Sequence, residues 1–423
     1  MPRLLLEHHP PNQIPLSAVA MPRPSLIRHV ACKLLAVLIL LFILTHIRWP
    51  FNRASTHSHG ASRSTVASDS PVSLHNLHFH GQGPCLPPSA SRSALLNKAS
   101  SIRESCRASS PFSALLPASD ATTDRGPRPR VATLTTQWGD PKAYYQKAIQ
   151  THLVHALVHE TNLHLLCAPT IQAPKGAPDT LANRLEIYWN KPALVLSVLL
   201  SEMAKPKPER LDWILWADAD TIILDHCRPI STFLPPELHD DDDDAEAEND
   251  GLPHLLYTND MLGLNNGVFL LRVSTWSVNL FTAVLGFRFL RPTVDLDYLD
   301  QTAMEILIAE DPRFRARALE VPQTWFNAYA DPSGPSSARG YAGDGEAQQA
   351  LKLRDYHARR GDFLAHFPGD PEREASMTAW LDAVDRLGNV WASGRVQRDA
   401  SDDVELFWNR WAGRRSNTRV PVS

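Results

Sequence analysis

The chain has 423 residues, 43% of them hydrophobic and 21% charged, with a formal net charge of −4. That suffices for one large domain with appendages or two small ones, and it excludes the basic footprint of a nucleic-acid-binding protein. The five cysteines (Cys32, Cys85, Cys106, Cys167 and Cys227) include no Cys-x-x-Cys pair, which argues against a structural zinc site.

Residues 1–29 are polar and proline-broken, with Arg3, Arg23 and Arg28 against the single acid Glu7. Val30 to Trp49 follows, with an uninterrupted apolar core from Leu34 to Leu44. With Lys33 snorkelling, the segment reaches roughly the 17–20 residues that cross a thin bilayer. The basic residues ahead of it predict a cytoplasmic N-terminus and a lumenal remainder. No small-x-small site follows closely, so 30–49 reads as an uncleaved signal anchor rather than a cleaved signal peptide.

Residues 50–128, rich in Ser, Ala, Pro, His and Arg, read as a largely disordered stem. Its histidines (His57, His59, His75, His78 and His80) read as solvated sequence without rigid geometry. A disulfide such as Cys85–Cys106 is compatible with an oxidising lumen.

Order is predicted from residue 129. Val131–Thr136 reads as a strand, Pro141–Glu160 as a helix and Leu163–Cys167 as a second strand. Asn190–Met203 is the next helix and Trp213–Ala217 a central strand. This alternation predicts a parallel sheet. His239–Asp250 is an acidic solvated loop without EF-hand spacing. Leu255–Tyr257 is a short strand, Asn259–Gly267 a turn-rich loop, and Val268–Val273 a strand again. Ser274 caps a helix from Thr275 to about Phe287. Asp297–Ile308 is a further helix, Glu320–Tyr329 an aromatic loop, and Asp331–Gly345 a mobile Gly/Ser/Pro-rich insertion. Gly361–Gly369 holds a late strand ending in His366. Glu372–Trp391 closes the domain at 395, and 396–423 reads as a polar tail.

Chemistry gathers at Asp212–Asp225. Trp213-Ile-Leu-Trp-Ala217 is apolar on both alternations, as a strand buried on both faces requires. Asp218 and Asp220 end it. Two positions apart on an extended chain, they point the same way and can share one ion. Open sheets bind ligands at the carboxyl ends of their strands. Oxygen donors suit Mn²⁺ or Mg²⁺, which can also hold a diphosphate. Asp-x-Asp alone is more often a strand end before a turn; the flanking apolar runs favour the ion.

From Tyr188 to Gly369 the chain resembles glycosyltransferase family 34, the galactosyl-, mannosyl- and xylosyltransferases of the Golgi. The likeness is carried by Trp189-Asn-Lys191-Pro-Ala-Leu, Trp213-Ile-Leu-Trp-Ala-Asp-Ala-Asp220, Leu262-Gly-Leu-Asn-Asn-Gly-Val-Phe-Leu-Leu-Arg272, Trp276, Leu299-Asp-Gln301-Thr-Ala, Val321-Pro-Gln-Thr-Trp-Phe-Asn-Ala-Tyr329 and Gly361-Asp-Phe-Leu-Ala-His-Phe-Pro-Gly369. A set in this order is far more specific than Asp-x-Asp alone. The resemblance implies a GT-A-like nucleotide-sugar-binding α/β domain with a mostly parallel central sheet, behind one transmembrane helix and a disordered stem.

It further implies metal ligation by Asp218, Asp220 and His366, with Asp300 and Gln301 as the catalytic candidates. Gln301 would sit beside the anomeric carbon. Lys191 would meet a phosphate or the donor sugar, and Asn265, Asn266 and Gly267 the sugar pocket. The family retains anomeric configuration. Two departures stand out: Asp370 where members commonly carry Cys, and Asn266 where a smaller residue is usual. The expected partners are a UDP-galactose or GDP-mannose donor, a glycan acceptor, the Golgi membrane through one helix, and other glycosyltransferases in a complex. A non-catalytic subunit of such a complex and a nucleotide-sugar hydrolase are the rival readings.

Overall fold

The computed structural model describes residues 74–81, 91–117, 128–137, 142–172, 180, 185–236, 251–343, 353–392, 394 and 396–418. The membrane anchor expected at 30–49 and the acidic run 239–250 lie outside them. Among the described residues no helix is long and apolar enough to cross a membrane.

Among the described residues seven strands form the main sheet: β1 (Leu77–His80), β2 (Val131–Thr136), β3 (Asn162–Leu166), β4 (Trp213–Ala217), β6 (Leu255–Asp260), β7 (Gly263–Arg272) and β8 (Ala318–Glu320). Their order is β1-β3-β2-β4-β7-β6-β8. β1, β3, β2 and β4 run parallel, and β7 enters antiparallel between β4 and β6. The sheet is therefore mixed, though mostly parallel as expected. A second sheet orders β5 (Thr221–Ile223), β10 (Leu364–His366) and β9 (Ala328–Tyr329).

The helices are α1 (Arg92–Ser109), α2 (Ala143–His159), α3 (Asn190–Met203), α4 (Thr275–Leu290), α5 (Asp300–Glu310), the single turn α6 (Pro312–Arg315), α7 (Pro335–Ala342), α8 (Arg373–Leu387) and α9 (Ser401–Thr418).

The central strand shows why the sheet takes a layer on each face. Ile214 and Trp216 enter the core with α3, α4 and α5. Trp213, Leu215 and Ala217 enter the opposite core with Phe233, Trp325 and Phe363. β7 divides likewise, Phe269 and Leu271 against Val268 and Leu270. Alternating side chains that are all apolar can be covered only by two layers. Each such side chain contributes about 1.5–3 kcal/mol when fully buried.

Four stretches depart from the sequence reading. Residues 74–81 and 91–117 fall in the span read as stem, yet they form β1 and α1 within the compact unit Ser68–Ser423. β1 adds in parallel to β3, and His78 and His80 stack on His164, so both are fixed sheet residues, His80 half-buried and His78 still exposed. Asn259–Gly267 is a hairpin, not a loop. β6 runs through Asp260, and β7 begins at Gly263 with φ +104. Within 331–345, Pro335 opens α7, which buries Ser337, Ala338, Gly340 and Tyr341. Beyond residue 396, α9 carries Val404 and Trp408 into the core beside Phe233 and Trp325.

The Cys85–Cys106 pairing is corrected too. Cys106, in the last turns of α1, is bonded to Cys227 with a Cα–Cα distance of 5.3 Å. Helix α1 packs against α2, which brings its end to the loop after β5. Cys167 is also disulfide-bonded.

Under that loop lies a row of histidines on one face of α2. His152, His155 and His159 bond Thr221 Oγ1, the Arg228 carbonyl and the His226 carbonyl at 2.9, 3.0 and 2.9 Å. Burial pushes His152 down to about 3, His155 to about 4 and His226 to about 3.

Candidate active site

The site lies where β4 ends and the small sheet begins. Asp218 N–H donates to the Gly267 carbonyl at 2.8 Å, tying the strand end to β7. Asp218 Oδ1 accepts the Trp216 indole N–H at 2.8 Å. Residues 219 and 220 form a turn leading into β5. Strand alternation is thus not what brings the two carboxylates together; the turn is. β10 pairs antiparallel with β5, matching His366 to Thr221. His366 Nε2 therefore stands 3.4 Å from Asp220 Oδ1. One donor atom from each of Asp218, Asp220 and His366 lies within 4.8 Å of the others. Among the described residues this is the group of acids, histidines and cysteines that converges closely enough to hold a metal ion.

Two carboxylates and an imidazole fit a divalent cation chemically. Two protein cations stand against the same carboxylates. Lys191 Nζ sits 3.1 Å from Asp218 Oδ1 and 3.9 Å from Asp300 Oδ2. Arg373 Nε sits 3.4 Å from Asp220 Oδ2. Burial raises the Asp220 carboxyl, but its contact with His366 and the Arg373 guanidinium outweigh that and hold the group below the usual carboxylate range. Burial likewise opposes the Lys191 charge, and Asp218 and Asp300 outweigh that.

Lys191 stands in the first turn of α3. It donates to the Asn266 carbonyl at 3.1 Å and to Asn266 Oδ1 at 2.9 Å, and its ammonium lies 5.6 Å from the Trp216 ring centroid. Asn266 Nδ2 donates to Asp300 Oδ2 at 2.8 Å, and its N–H donates to Gln301 Oε1 at 3.0 Å. Asp300 and Gln301 open α5 directly after Leu299, whose φ of 52 is rare for a residue with a side chain. Burial pushes the Asp300 carboxyl up, with Lys191 offsetting part of the effect.

The structure thus gathers all nine sequence-nominated residues, but two are engaged differently from the expectation. Asn265 and Asn266 are both buried, and their amides are committed to neighbours within the protein. Asn265 Nδ2 donates to Asp260 Oδ2 at 3.0 Å and to the Tyr329 hydroxyl at 2.8 Å. Gly267 leaves room for the ring of His366.

Several contributors were missed. Asn327 holds His366 Nδ1 at 2.9 Å, and Tyr329 reaches Asp260. Both residues stand in the Val321–Tyr329 segment, so the motif was visible but not its task. Arg373 carried no sequence signal. It also donates to Tyr145 at 3.1 Å and borders an open cleft of about 1080 Å³ lined by Lys142, Tyr144, Tyr145, Glu372 and Asp382.

Residues 142–375 match the family described as galactosyl transferase GMA12/MNN10. The chain belongs to this family. It is a glycosyltransferase, and the family match encloses every site residue named above, from Lys191 to Arg373. Comparison with curated protein sequences gave no match.

Among solved structures, the transferase is similar to a glycosyltransferase involved in glycosylation of the major capsid of PBCV-1. The identity is 14%, with 59% of this chain and 99% of that one covered and a TM-score of 0.39. It is also similar to the galactosyltransferase LgtC in complex with donor and acceptor sugar analogs (14% identity, 63% and 96% covered, TM-score 0.33). A third is the glycosyltransferase GlyE of Streptococcus pneumoniae TIGR4 (11% identity, 68% and 64% covered, TM-score 0.31).

Proposed function

We propose that this transferase moves a hexose, galactose or mannose, from a UDP- or GDP-sugar to a glycan hydroxyl with retention of anomeric configuration, using Mn²⁺ or Mg²⁺. The observation that carries the proposal is the convergence of Asp218, Asp220 and His366 within 4.8 Å. These three would hold the ion, which when bound neutralises charge on the departing diphosphate.

The chain's own residues supply the rest. Lys191, standing between Asp218 and Asp300, fixes the two acids relative to each other and offers a cation near donor phosphates. Asn266 N–H binds Gln301 Oε1 and so holds the side-chain amide in one orientation. That amide stabilises an oxocarbenium-like state without forming a covalent bond. Arg373 stands between Asp220 and the open cleft, where it adds a second cation for an anionic ligand. The protein acts from the lumenal side of the Golgi membrane as a type II protein anchored by residues 30–49, alone or in a complex with other glycosyltransferases. A disulfide between Cys106 and Cys227 supports an oxidising compartment.

The test uses the full-length chain in detergent, because β1, α1 and Cys106 belong to the folded unit. Nucleotide release is measured with UDP- and GDP-sugars and Mn²⁺, with and without mannoside acceptors. Acceptor-dependent release that disappears in Asp220→Asn is the expected result. Release independent of acceptor would replace transfer by hydrolysis. No release from any donor would favour a non-catalytic subunit.

A further inference from the structure

The family segment Val321–Tyr329 contributes Asn327, a fully buried carboxamide, to the site. Its hydrogen bonds form a chain whose direction can be worked out atom by atom. The chain starts at a backbone N–H, which can only donate. Gly267 N–H lies 3.0 Å from Asn265 Oδ1, so that atom is the amide oxygen. The Asn265 NH₂ correspondingly faces the Asp260 carboxylate and the Tyr329 hydroxyl. Asn265 Oδ1 also faces the Asn327 amide at 3.0 Å. An acceptor there requires the NH₂ of Asn327, which donates to Thr258 Oγ1 at 2.8 Å as well. The Asn327 oxygen is left pointing at His366 Nδ1, 2.9 Å away. An oxygen acceptor at that distance requires a proton on Nδ1.

We propose that Asn327 is a positioning residue that locks the His366 proton on Nδ1, leaving Nε2 as the atom offered to a divalent cation beside Asp218 and Asp220. The inference rests on the reading of those three residues as a cation site. Nδ1 keeps its proton whether Nε2 faces an ion or a second proton. The neutral imidazole cannot turn its protonated nitrogen toward the ion without opposing two acceptors at Asn327. Amide orientation is thus passed from the backbone of β7 through two buried side chains to the ring. A partner that fixes ring orientation and tautomer is what a metal-binding histidine needs.

Mn²⁺ binding to the metal-free full-length protein, without donor sugar, tests this by electron paramagnetic resonance titration. Asn327→Leu removes the acceptor, and Mn²⁺ affinity is expected to fall roughly 10–100-fold. Asn327→Asp keeps an oxygen opposite Nδ1 while losing both NH₂ bonds; it should bind Mn²⁺ at least about tenfold more tightly than the leucine variant. A role confined to packing would harm both alike. Equal losses in the two variants, or no loss in Asn327→Leu when His366→Ala binds weakly, would overturn the proposal. Wild-type Mn²⁺ affinity in His366→Ala would instead remove the cation site itself. Asn265→Ala, one bond further back, carries the same comparison if the leucine variant does not fold.

Discussion

A Cβ placed on Gly267 would lie 2.3 Å from Cε1 of His366. The ring rests directly on the glycine, and nothing larger fits beneath it. Gly267→Ala is therefore expected to push the imidazole away from Asp220 and lower Mn²⁺ affinity by roughly 10–100-fold. The glycine sits in an ordinary strand, so the backbone itself tolerates alanine, and the displaced ring should cost about 1–3 kcal/mol in a urea melt. Wild-type Mn²⁺ affinity in this variant would mean the ring moves without consequence for the ion.

Lys191 is the cation between the buried Asp300 and the half-buried Asp218. In Lys191→Met, Asp218 and Asp300 face each other without it. Breaking a fully buried pair costs about 3–5 kcal/mol; with Asp218 half-exposed the loss should be smaller than that, measurable as a lower urea midpoint in metal-free protein. Mn²⁺ should restore part of that loss. A variant as stable as wild type without metal would show that the lysine does not hold the acids together.

His155 titrates at about 4 in the folded protein against 6.5 for an ordinary histidine, because burial disfavours its charge. As pH falls, the unfolded chain takes the proton first. The contribution to stability is therefore complete above about pH 6.5 and is lost progressively as pH drops toward 4. His155→Gln keeps a donor to the Arg228 carbonyl but does not titrate. It should reduce the dependence of stability on pH by about 1.4 kcal/mol per unit between pH 6 and 4.5. Asp225, raised by burial to about 6, and Asp362, raised to about 7, act in the opposite sense, but they cancel in the difference between variant and wild type. Parallel urea melts at several pH values give the slopes.

The Cys106–Cys227 bond spans a sequence separation of 121 residues. Cys227→Ser should cost about 4–5 kcal/mol on the loop-closure argument, read from urea denaturation, and should make α1 more accessible to protease. Unchanged denaturation would mean that packing of α1 on α2 alone holds this region.

What could be read in advance follows physical lines. β2, α3 and β4 fall where the apolar runs put them, because a strand buried on both faces and a helix with a wide apolar stripe are local patterns. The Asn259–Gly267 hairpin was not legible. Asn, Gly and Asp are turn formers, and only tertiary partners such as Asp260, Tyr329 and Asn327 make amides welcome inside a strand. Helix α9 left a trace in the spacing of Val404, Phe407, Trp408 and Trp411, which the surrounding charges obscured. For Cys106 and Cys227 no local signal could exist, since spacing does not reveal pairing. Asp218 and Asp220 could be read from the end of an apolar strand and His366 only from motif order; Arg373, and the orientation that Asn327 imposes, needed coordinates.

Asp218 closes a strand of the large sheet, Asp220 sits in the turn out of it, and His366 belongs to the small sheet. An ion gripped by all three spans the seam between the two sheets. Occupancy would then be a mechanical matter as well as a chemical one: the ligation proposed for the site would also clasp the halves, so loss of the ion should loosen that join before either sheet frays.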